Sequence, residues 1–288
     1  MRRAGRFLRL SCLGLPLGFL AITLILPLLS GVILSFQADG FSLENYRFVL
    51  GDSLFRRSVY NTLILAAASL VVEFVWGLIF ALLLSSRRRA SFVTEVSVLM
   101  PLLIPEIVFL SVARYILLPR GYLNGALAAV GLPAVGWLDP RSALCLLSVA
   151  LVDAWRVTPM VTLLLLDGLQ GIPAELYEAA LLDGAGSFAQ SRYVTLPLLK
   201  PALYGALVLR GVDALRIFST VLVLAGPEGA PVMSTYAYQL WGDAMEEHRA
   251  MAASVLLATM IGTLGAVVIA FRARTRASGG GALEGLSG

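Results

Sequence analysis

Residues 178–197 read EAALLDGAGSFAQSRYVTLP and interrupt a chain that otherwise consists of long apolar runs. They belong to a polar stretch, residues 167–200, that is too polar to cross a membrane. Pro173 precedes a helical stretch from Ala174 to Asp183, where the missing N–H of proline costs nothing. Gly184 and Gly186 predict the end of that helix, and a second stretch, 187–196, is expected to stop at Pro197. The pattern predicts two short helices joined by a glycine turn.

The runs around this segment are long enough to span a bilayer. Of 288 residues 58% are apolar and 14% are charged, with a mean hydropathy of +0.85, whereas a soluble domain has roughly 45–50% apolar and about 25% charged residues. A spanning helix needs about 20 apolar residues. Six stretches qualify, at 11–36, 60–85, 93–118, 142–167, 199–225 and 250–271. The fold class predicted is all-α, a polytopic membrane protein with six transmembrane helices.

The chain is expected to have three parts. Residues 1–57 form a retained N-terminal transmembrane helix and an outer loop, since no small-x-small cleavage site follows the first apolar run. Residues 58–276 form a core of five transmembrane helices with the inner loop 167–200, and Pro101 and Pro105 predict a kink in the third span. Residues 277–288, rich in Gly and Ser, are predicted to be a disordered tail.

Basic residues predict the orientation, because cytoplasmic loops carry more Lys and Arg. With both termini inside, the inner side holds twelve: Arg2, Arg3, Arg6, Arg9, Arg87, Arg88, Arg89, Arg192, Lys200, Arg272, Arg274 and Arg276. The outer side holds six: Arg47, Arg56, Arg57, Arg120, Arg141 and Arg249. Both termini are therefore expected in the cytoplasm, and this topology accounts for the basic pI without nucleic-acid binding.

The interrupting segment resembles a known signature. Glu178-Ala179-Ala180, Gly184 and Val194-Thr195-Leu196-Pro197 match the spacing EAA-x3-G-x9-I-x-LP of permease subunits of binding-protein-dependent ABC importers, with Val194 for Ile. Leu176 to Ala185 is similar to the carbohydrate branch, and the resemblance extends over about residues 40–272. It departs at Asp167, at Ser191 and at 225–229. The resemblance implies the type I importer permease fold.

The resemblance also implies a coupling role for the inner loop, which would dock on a separate ATPase. The residues implied in coupling are Glu178, Ala179, Ala180, Asp183, Gly184 and Pro197. The partners implied are a second homologous permease, two copies of the ATPase subunit, an extracytoplasmic solute-binding (lipo)protein and the lipids of a prokaryotic plasma membrane. ATP and Mg²⁺ would bind those partners, since this chain has no Gly-x4-Gly-Lys-Ser/Thr loop. The chain itself is not expected to be an enzyme.

Ionisable residues within spans predict the solute path, because such residues usually face the bundle interior. Asp153, Arg156, Val157 and Met160 share one helical face, as do Arg210, Asp213 and Ala214. Resemblance to maltose-type permeases selects an overlapping set, and Trp155 is expected to pack against a sugar ring. The alternative is that Asp153–Arg156 and Arg210–Asp213 are structural i,i+3 pairs.

Other charged and aromatic residues are given secondary roles. Arg216 is expected on another face in a structural pair, and Glu73, Glu106 and Arg114 as packing or gating residues. The aromatic and polar cluster of the outer side is expected to anchor the chain at the interface or to contact the binding protein; it comprises Tyr236, Tyr238, Gln239 and Trp241. Cys12 and Cys145 are expected to be small core residues.

The function predicted is import of a neutral sugar, of which a disaccharide such as trehalose or maltose is favoured. Asp and Arg suit sugar hydroxyls because a carboxylate accepts and a guanidinium donates hydrogen bonds. Glycerol-phosphate or another small solute is the alternative. An integral-membrane enzyme is disfavoured because the single histidine, His248, leaves no zinc site or His-based triad. An ion-coupled carrier would have no use for the loop 167–200.

Overall fold

The computed structural model describes residues 14, 16, 18–38, 40–85 and 92–284, with the backbone alone at 227, 228 and 271–284. Within these ranges the chain is helical, and its only strand-like feature is one bridge between Gln37 and Phe41. Several residues of the orientation argument lie outside the described residues, as does Cys12; those basic residues are Arg2, Arg3, Arg6, Arg9, Arg87, Arg88 and Arg89. The predicted orientation stays a prediction.

Fourteen helices are used in the description of the parts of the chain given above. In chain order they are α1 (Gly18–Ser35), α2 (Glu44–Gly51), α3 (Ser53–Ser85), α4 (Phe92–Leu103), α5 (Glu106–Leu117), α6 (Tyr122–Ala129), α7 (Ala143–Gln170), α8 (Ala174–Leu182), α9 (Ser187–Gln190), α10 (Leu196–Leu215), α11 (Ser219–Leu224), α12 (Gly226–Gly229), α13 (Met233–Gly242) and α14 (Glu247–Glu284).

Four of these helices are long and apolar enough to cross a membrane, namely α1, α3, α7 and the Glu247–Ala270 part of α14. The third predicted span is the bent pair α4 and α5. The fifth is α10, whose 20 residues extend about 30 Å and include Lys200, Arg210 and Asp213. By length and composition the described helices supply four of the six predicted spans, or five if the bent pair is one span. α10 lies at the fifth predicted span, and that span and the third are interrupted.

The break in the third span follows from proline chemistry. Pro105 has no N–H to donate and disfavours a helical backbone at the residue before it. Pro105 itself adopts an extended conformation, with ψ 133°, and the helices on either side of it are bent by 98°. Pro101 remains inside α4. The predicted kink is confirmed at Pro105, and it amounts to a sharp break.

The inner segment contains α8 as predicted, but the second short helix does not stop at Pro197. α9 continues through a π-helical turn, Ser191–Thr195, directly into α10. The backbone N–H of Leu196 donates to the carbonyl of Ser191, five residues earlier. Pro197 lies where the π-helical turn meets α10, and the helix continues through it. The expected helix end at Pro197 is wrong.

Two glycines set the close packing of α3, α7 and α10. A Cβ at Gly77 of α3 would lie 2.7 Å from Val161 Cγ1 of α7. A Cβ at Gly168 of α7 would lie 2.5 Å from Ala202 Cβ of α10. Small residues allow helix backbones to approach closely in membranes. These three helices, which carry the buried charges Glu73, Asp153 and Arg210, are therefore held side by side.

The last helix extends beyond the membrane-spanning part. α14 runs to Glu284, so residues 277–284 are helical where the sequence predicts a disordered tail, and 285–288 lie outside the described residues. Extending a helix costs much less than starting one, because each added residue gains a hydrogen bond. The apolar span thus acts as the nucleus for its polar continuation.

Candidate functional site

A cavity of about 570 Å³ lies between α4, α5, α7, α10 and α11. Polar and charged side chains form about half of its wall. The lining residues are Leu102, Glu106, Asp153, Arg156, Val157, Met160, Arg210, Asp213, Arg216, Ile217, Phe218, Ser219 and Thr220. The cavity lies where the third and fifth spans are broken, so backbone ends as well as side chains reach it.

The break in the fifth span separates α10 from α11. The three residues 216–218 are not helical, although the sequence has neither Pro nor Gly there and predicts one span over 199–225. The carbonyl freed at Ile217 accepts a hydrogen bond from Ser234 Oγ of α13. A broken helix is tolerated at membrane depth where protein groups satisfy the freed backbone. The outer helix α13 therefore supports the break.

Asp153 is almost fully buried, with its side chain 3% exposed. Its Oδ1 accepts hydrogen bonds from Thr220 Oγ1 at 2.9 Å and from Arg156 at 3.2 Å. Its Oδ2 accepts one from Ser69 Oγ at 3.3 Å. These donors come from α3, α7 and α11. Asp153 therefore joins three helices, and its acceptor capacity is largely used inside the protein.

A series of linked ion pairs runs from the bundle core to the cavity. Glu73 of α3 is fully buried and accepts hydrogen bonds from Arg210 of α10 at 3.0 and 2.9 Å, through Nε and Nη2. Arg210 also donates to Asp213 at 3.4 Å, and Arg216 donates to the other oxygen of Asp213 at 2.9 Å. A bidentate guanidinium–carboxylate pair fixes both distance and orientation. Asp213 and Arg216, the two residues of this series farthest from the core, are thereby held at the cavity wall.

Arg156 links α7 to the break in the third span. It lies 3.6 Å from Glu106, the first residue of α5, as well as bonding to Asp153. Its Nε is buried and has no hydrogen-bond partner within the described residues. A buried unpaired N–H is costly. The hydrogen-bonding capacity of Arg156 is thus only partly used by the described residues.

The inner segment is held as a compact hairpin. The N–H of Gly184 donates to Leu181 O at 3.0 Å and that of Ala185 donates to Ala180 O at 2.9 Å, which is the Schellman pattern of helix ends. Gly184 has φ +79°, a conformation that costs other residues about 1 kcal/mol or more. The Tyr177 and Thr195 hydroxyls, 3.1 Å apart, tie α8 to the π turn. The glycine turn predicted from the sequence is present.

Most of the coupling residues predicted from the sequence lie on the surface of this hairpin. Glu178, Ala179, Asp183 and Gly184 are exposed and Ala180 is half-buried. Pro197, at the start of α10, is also exposed. Beside them lie large apolar side chains that the sequence argument did not include, with Leu182 90% and Phe188 84% exposed. The hairpin therefore presents an apolar surface with acidic residues on it.

Residues 73–276 match a known family, the inner membrane component of binding-protein-dependent transport systems. The chain belongs to this family. The sequence resemblance is thereby confirmed, and the chain is a multi-pass component of the inner membrane in a transport system that depends on a binding protein. The membrane component of such a system is a transport subunit and not an enzyme.

Curated relatives of this inner-membrane component include sugar-system proteins. This chain is 42% identical over 194 residues to a trehalose/maltose transport system permease protein of Thermococcus litoralis. The match covers 65% of this chain and 64% of that protein. This chain is 32% identical to a probable ABC transporter permease protein of Bacillus subtilis, over 82% of this chain and 86% of that one. A trehalose transport system permease protein of Mycobacterium tuberculosis is 34% identical over 64% of this chain and 59% of its own length. The matched region thus spans less than two thirds of the Thermococcus and Mycobacterium proteins.

A solved structure confirms the fold. A chain of a bacterial ABC transporter involved in the import of alginate superposes on this inner-membrane component with a TM-score of 0.83, over 95% of this chain and 98% of that one, at 23% identity. The likeness at this identity concerns the fold alone. It supports the predicted type I importer permease architecture.

Two residues predicted for the solute path of this inner-membrane component lie elsewhere. Trp155 is 60% exposed and lines an apolar cleft of about 350 Å³ with Trp76 and Phe80. It follows Asp153 by two positions, which is about 200° around a helix. Ala214 is 2% exposed and packs in the core against Ala66. Trp155 therefore does not line the charged cavity, and its expected packing against a sugar ring stays a prediction.

Conversely, two residues that the sequence argument treated as structural or gating residues line the cavity. Glu106 is 42% exposed and Arg216 is 63% exposed. Glu106 has a signal in the sequence, because it directly follows Pro105, where the third span breaks. For Arg216 the break itself has no sequence signal. Ser219 and Thr220 were missed for the same reason.

The outer aromatic cluster divides in two. Tyr236 is 1% exposed, packs against Phe55, and donates to Asp52 at 2.7 Å, so it is a core residue and not an interfacial anchor. Burial raises the pKa of Tyr236 well above its usual value, and the bond to Asp52 raises it further. Tyr238 and Trp241 are 41% and 55% exposed, and Tyr238 contacts Phe218 edge-on at 5.4 Å. The exposed pair alone retains the anchor interpretation.

Proposed function

We propose that this chain is a permease subunit that carries a neutral sugar, such as trehalose or maltose, into the cytoplasm while partner subunits hydrolyse ATP. The observation that carries the proposal is the charged cavity inside an otherwise apolar bundle, at the junction of two broken spans. Intramembrane charges around a cavity mark solute pathways. The sugar-system names of the relatives point to the same class of solute.

The charges of the cavity favour a neutral solute over the alternative, glycerol-phosphate. Three carboxylates and three guanidiniums line it: Glu106, Asp153, Asp213, Arg156, Arg210 and Arg216. Each guanidinium has a carboxylate within 4 Å, and Glu73 adds one more negative charge behind Arg210. A phosphate would find no uncompensated cation. Sugar hydroxyls both donate and accept, so they can bond to such pairs without adding a charge.

We assign the coupling of ATP hydrolysis to transport to the inner hairpin, α8 to α9, as the contact surface for the ATPase. Exposed Leu182 and Phe188 form an apolar surface of the kind that marks protein contacts, and Ala179 and Ala180 allow close approach. Glu178 offers a negative charge for a basic residue of a partner. The partners proposed are two copies of an ATPase subunit, which bind ATP and Mg²⁺, and a second permease. The proposed orientation places the hairpin and both termini in the cytoplasm and the binding protein outside.

The test is import by the complete complex, purified with its partner subunits and binding protein and reconstituted in vesicles. ATP-dependent accumulation of labelled trehalose or maltose is expected. Glu178→Lys reverses the charge on the hairpin, so the solute-stimulated ATPase rate is expected to fall to the unstimulated level. Glu44→Lys makes the same change on the exposed surface of α2 and is expected to leave the stimulation intact.

Each part of the proposal has its own contrary result. Unchanged stimulation in Glu178→Lys means that the hairpin does not transmit the drive. Absence of import of both sugars by the wild-type complex refutes the sugar assignment while leaving family membership as it is.

A further inference from the structure

We infer that Arg216 is a specificity-determining residue of the cavity, donating hydrogen bonds to solute hydroxyls while Glu106 accepts from the same solute. This inference rests on the proposed function, and it names a pair of residues that the sequence argument had assigned to structure or gating. The position, the free donors and the anchoring of Arg216 support it independently.

Position is the first argument. Arg216 is the first residue after α10, where the fifth span breaks, so its side chain leaves the end of a helix beside the cavity. Its side chain is 63% exposed, the highest value among the six charged residues that line the cavity. Arg210, six residues earlier, is 6% exposed. Arg216 is therefore more accessible to a solute in the cavity than the buried charges are.

Arg216 also has unused hydrogen-bonding capacity. A guanidinium carries five N–H donors in a planar fork, and only one of the three nitrogens of Arg216 bonds to the protein, to Asp213 at 2.9 Å. Its Nε and its other terminal nitrogen have no partner in the described part of the chain. Two or three donors on one plane match neighbouring hydroxyls of a sugar ring.

Anchoring is the third argument. Asp213 holds Arg216 and is itself held by Arg210, which is locked to Glu73 by two hydrogen bonds in the core. Each link removes side-chain freedom before any solute arrives. Such preorganisation raises affinity, because less conformational entropy is lost on binding. The exposed guanidinium is thus fixed to the rigid bundle, unlike an ordinary surface arginine.

Glu106 supplies the complementary acceptor. It begins α5 at the break in the third span, and its Oε1 lies 3.6 Å from Arg156, longer than a hydrogen bond. Its Oε2 has no partner among the described residues. An ionised carboxylate has about four acceptor sites. The cavity therefore presents free acceptors on one broken span and free donors on the other.

Buried charges of the same cavity lack this capacity. Asp153 accepts three hydrogen bonds from the protein and is 3% exposed, and Arg210 is committed to Glu73 and Asp213. We therefore assign solute contact to Arg216 and Glu106, and not to Asp153 and Arg210.

The first experiment measures trehalose import by the reconstituted complex with Arg216→Gln. Loss of a charge-assisted hydrogen bond is expected to raise the KM for import about 10- to 100-fold. Arg216→Lys keeps the charge but loses the planar set of donors, so its KM is expected to lie between those of the wild type and Arg216→Gln. Arg141→Gln, an exposed arginine of the outer side, is the matched control with an unchanged KM. Co-purification with the partner subunits verifies assembly. A KM within twofold of wild type in Arg216→Gln overturns the inference.

The second experiment compares thiol reactivity at two positions, a readout that does not depend on which sugar is carried, and then tests protection by trehalose. Arg216→Cys and Arg210→Cys are made in a chain with Cys12→Ser and Cys145→Ala and treated with a charged, water-soluble thiol reagent. Position 216 is expected to react at least about tenfold faster than position 210, and trehalose is expected to slow that reaction. Equal rates at the two positions overturn the inference whether or not the wild type imports sugar. Fast reaction without protection, in a complex that imports trehalose, overturns it as well.

Discussion

Two ion pairs that each include one residue of α10 differ in burial: Glu73–Arg210 lies in the bundle core and Asp213–Arg216 lies at the cavity wall. Glu73–Arg210 is 0% and 6% exposed, whereas Asp213–Arg216 is 34% and 63% exposed, at the same N–O distance of 2.9 Å. A buried pair that loses one partner leaves an uncompensated charge in the bundle, while an exposed pair contributes about 0–1 kcal/mol. Identical chemistry thus stabilises the helix bundle in one case and leaves donors for a ligand in the other.

The strongest test of this contrast removes one member of the buried pair. Glu73→Leu leaves the Arg210 guanidinium unpaired between α3 and α10, and we expect a loss of about 3–5 kcal/mol in the free energy of unfolding. Denaturation of the purified complex in detergent measures it. The double variant Glu73→Leu, Arg210→Met replaces both charges and is expected to recover most of the loss. If the single variant loses less than about 1 kcal/mol, the pair has no structural role.

Asp153→Ala is the intermediate case. The change leaves Ser69, Thr220 and Arg156 without their common acceptor, so we expect a loss of stability of about 2–3 kcal/mol and a lower yield of assembled complex. Asp153→Asn keeps an acceptor oxygen and is the matched control, expected to assemble better. Normal assembly of Asp153→Ala together with a raised KM for import would instead make Asp153 a solute contact, as the sequence argument favoured.

The smallest expected loss in the free energy of unfolding is for an exposed ion pair. Arg249 pairs with Glu246 just before and within the start of α14, and both are about one-third exposed. Arg249 also lies over the ring of Phe48, 3.7 Å from its centroid, so it stays in place when the carboxylate is removed. Glu246→Gln is expected to change the free energy of unfolding by less than about 1 kcal/mol. The same denaturation experiment measures this, and a loss of 2 kcal/mol or more would show that exposure is a poor guide to the role of a pair in this chain.

Local features were predictable because their signals are local. The six apolar runs, the helix α8 and the turn at Gly184 follow from hydropathy, proline position and the conformational freedom of glycine. The break at Pro105 follows from the missing N–H of proline. In each case the residues that decide the structure are adjacent in the sequence.

Features that depend on contacts between helices were not predictable. The break at 216–218 has no Pro or Gly and is supported by Ser234, eighteen positions away from Arg216. The continuation through Pro197 depends on a π turn. The outward position of Trp155 follows from how α7 rotates against α3, where Gly77 meets Val161.

The sequence by itself determined that this chain is an α-helical inner-membrane transport component with a helical hairpin between its fourth and fifth spans, since composition, spacing and turn chemistry are properties of short stretches. It also placed acidic and basic residues in the fourth and fifth spans. Only the tertiary structure decided which of these charges are committed, because Glu73, Arg210, Asp213 and Arg216 form one chain across two helices. Burial depends on what packs around a side chain, and that is a property of the whole bundle.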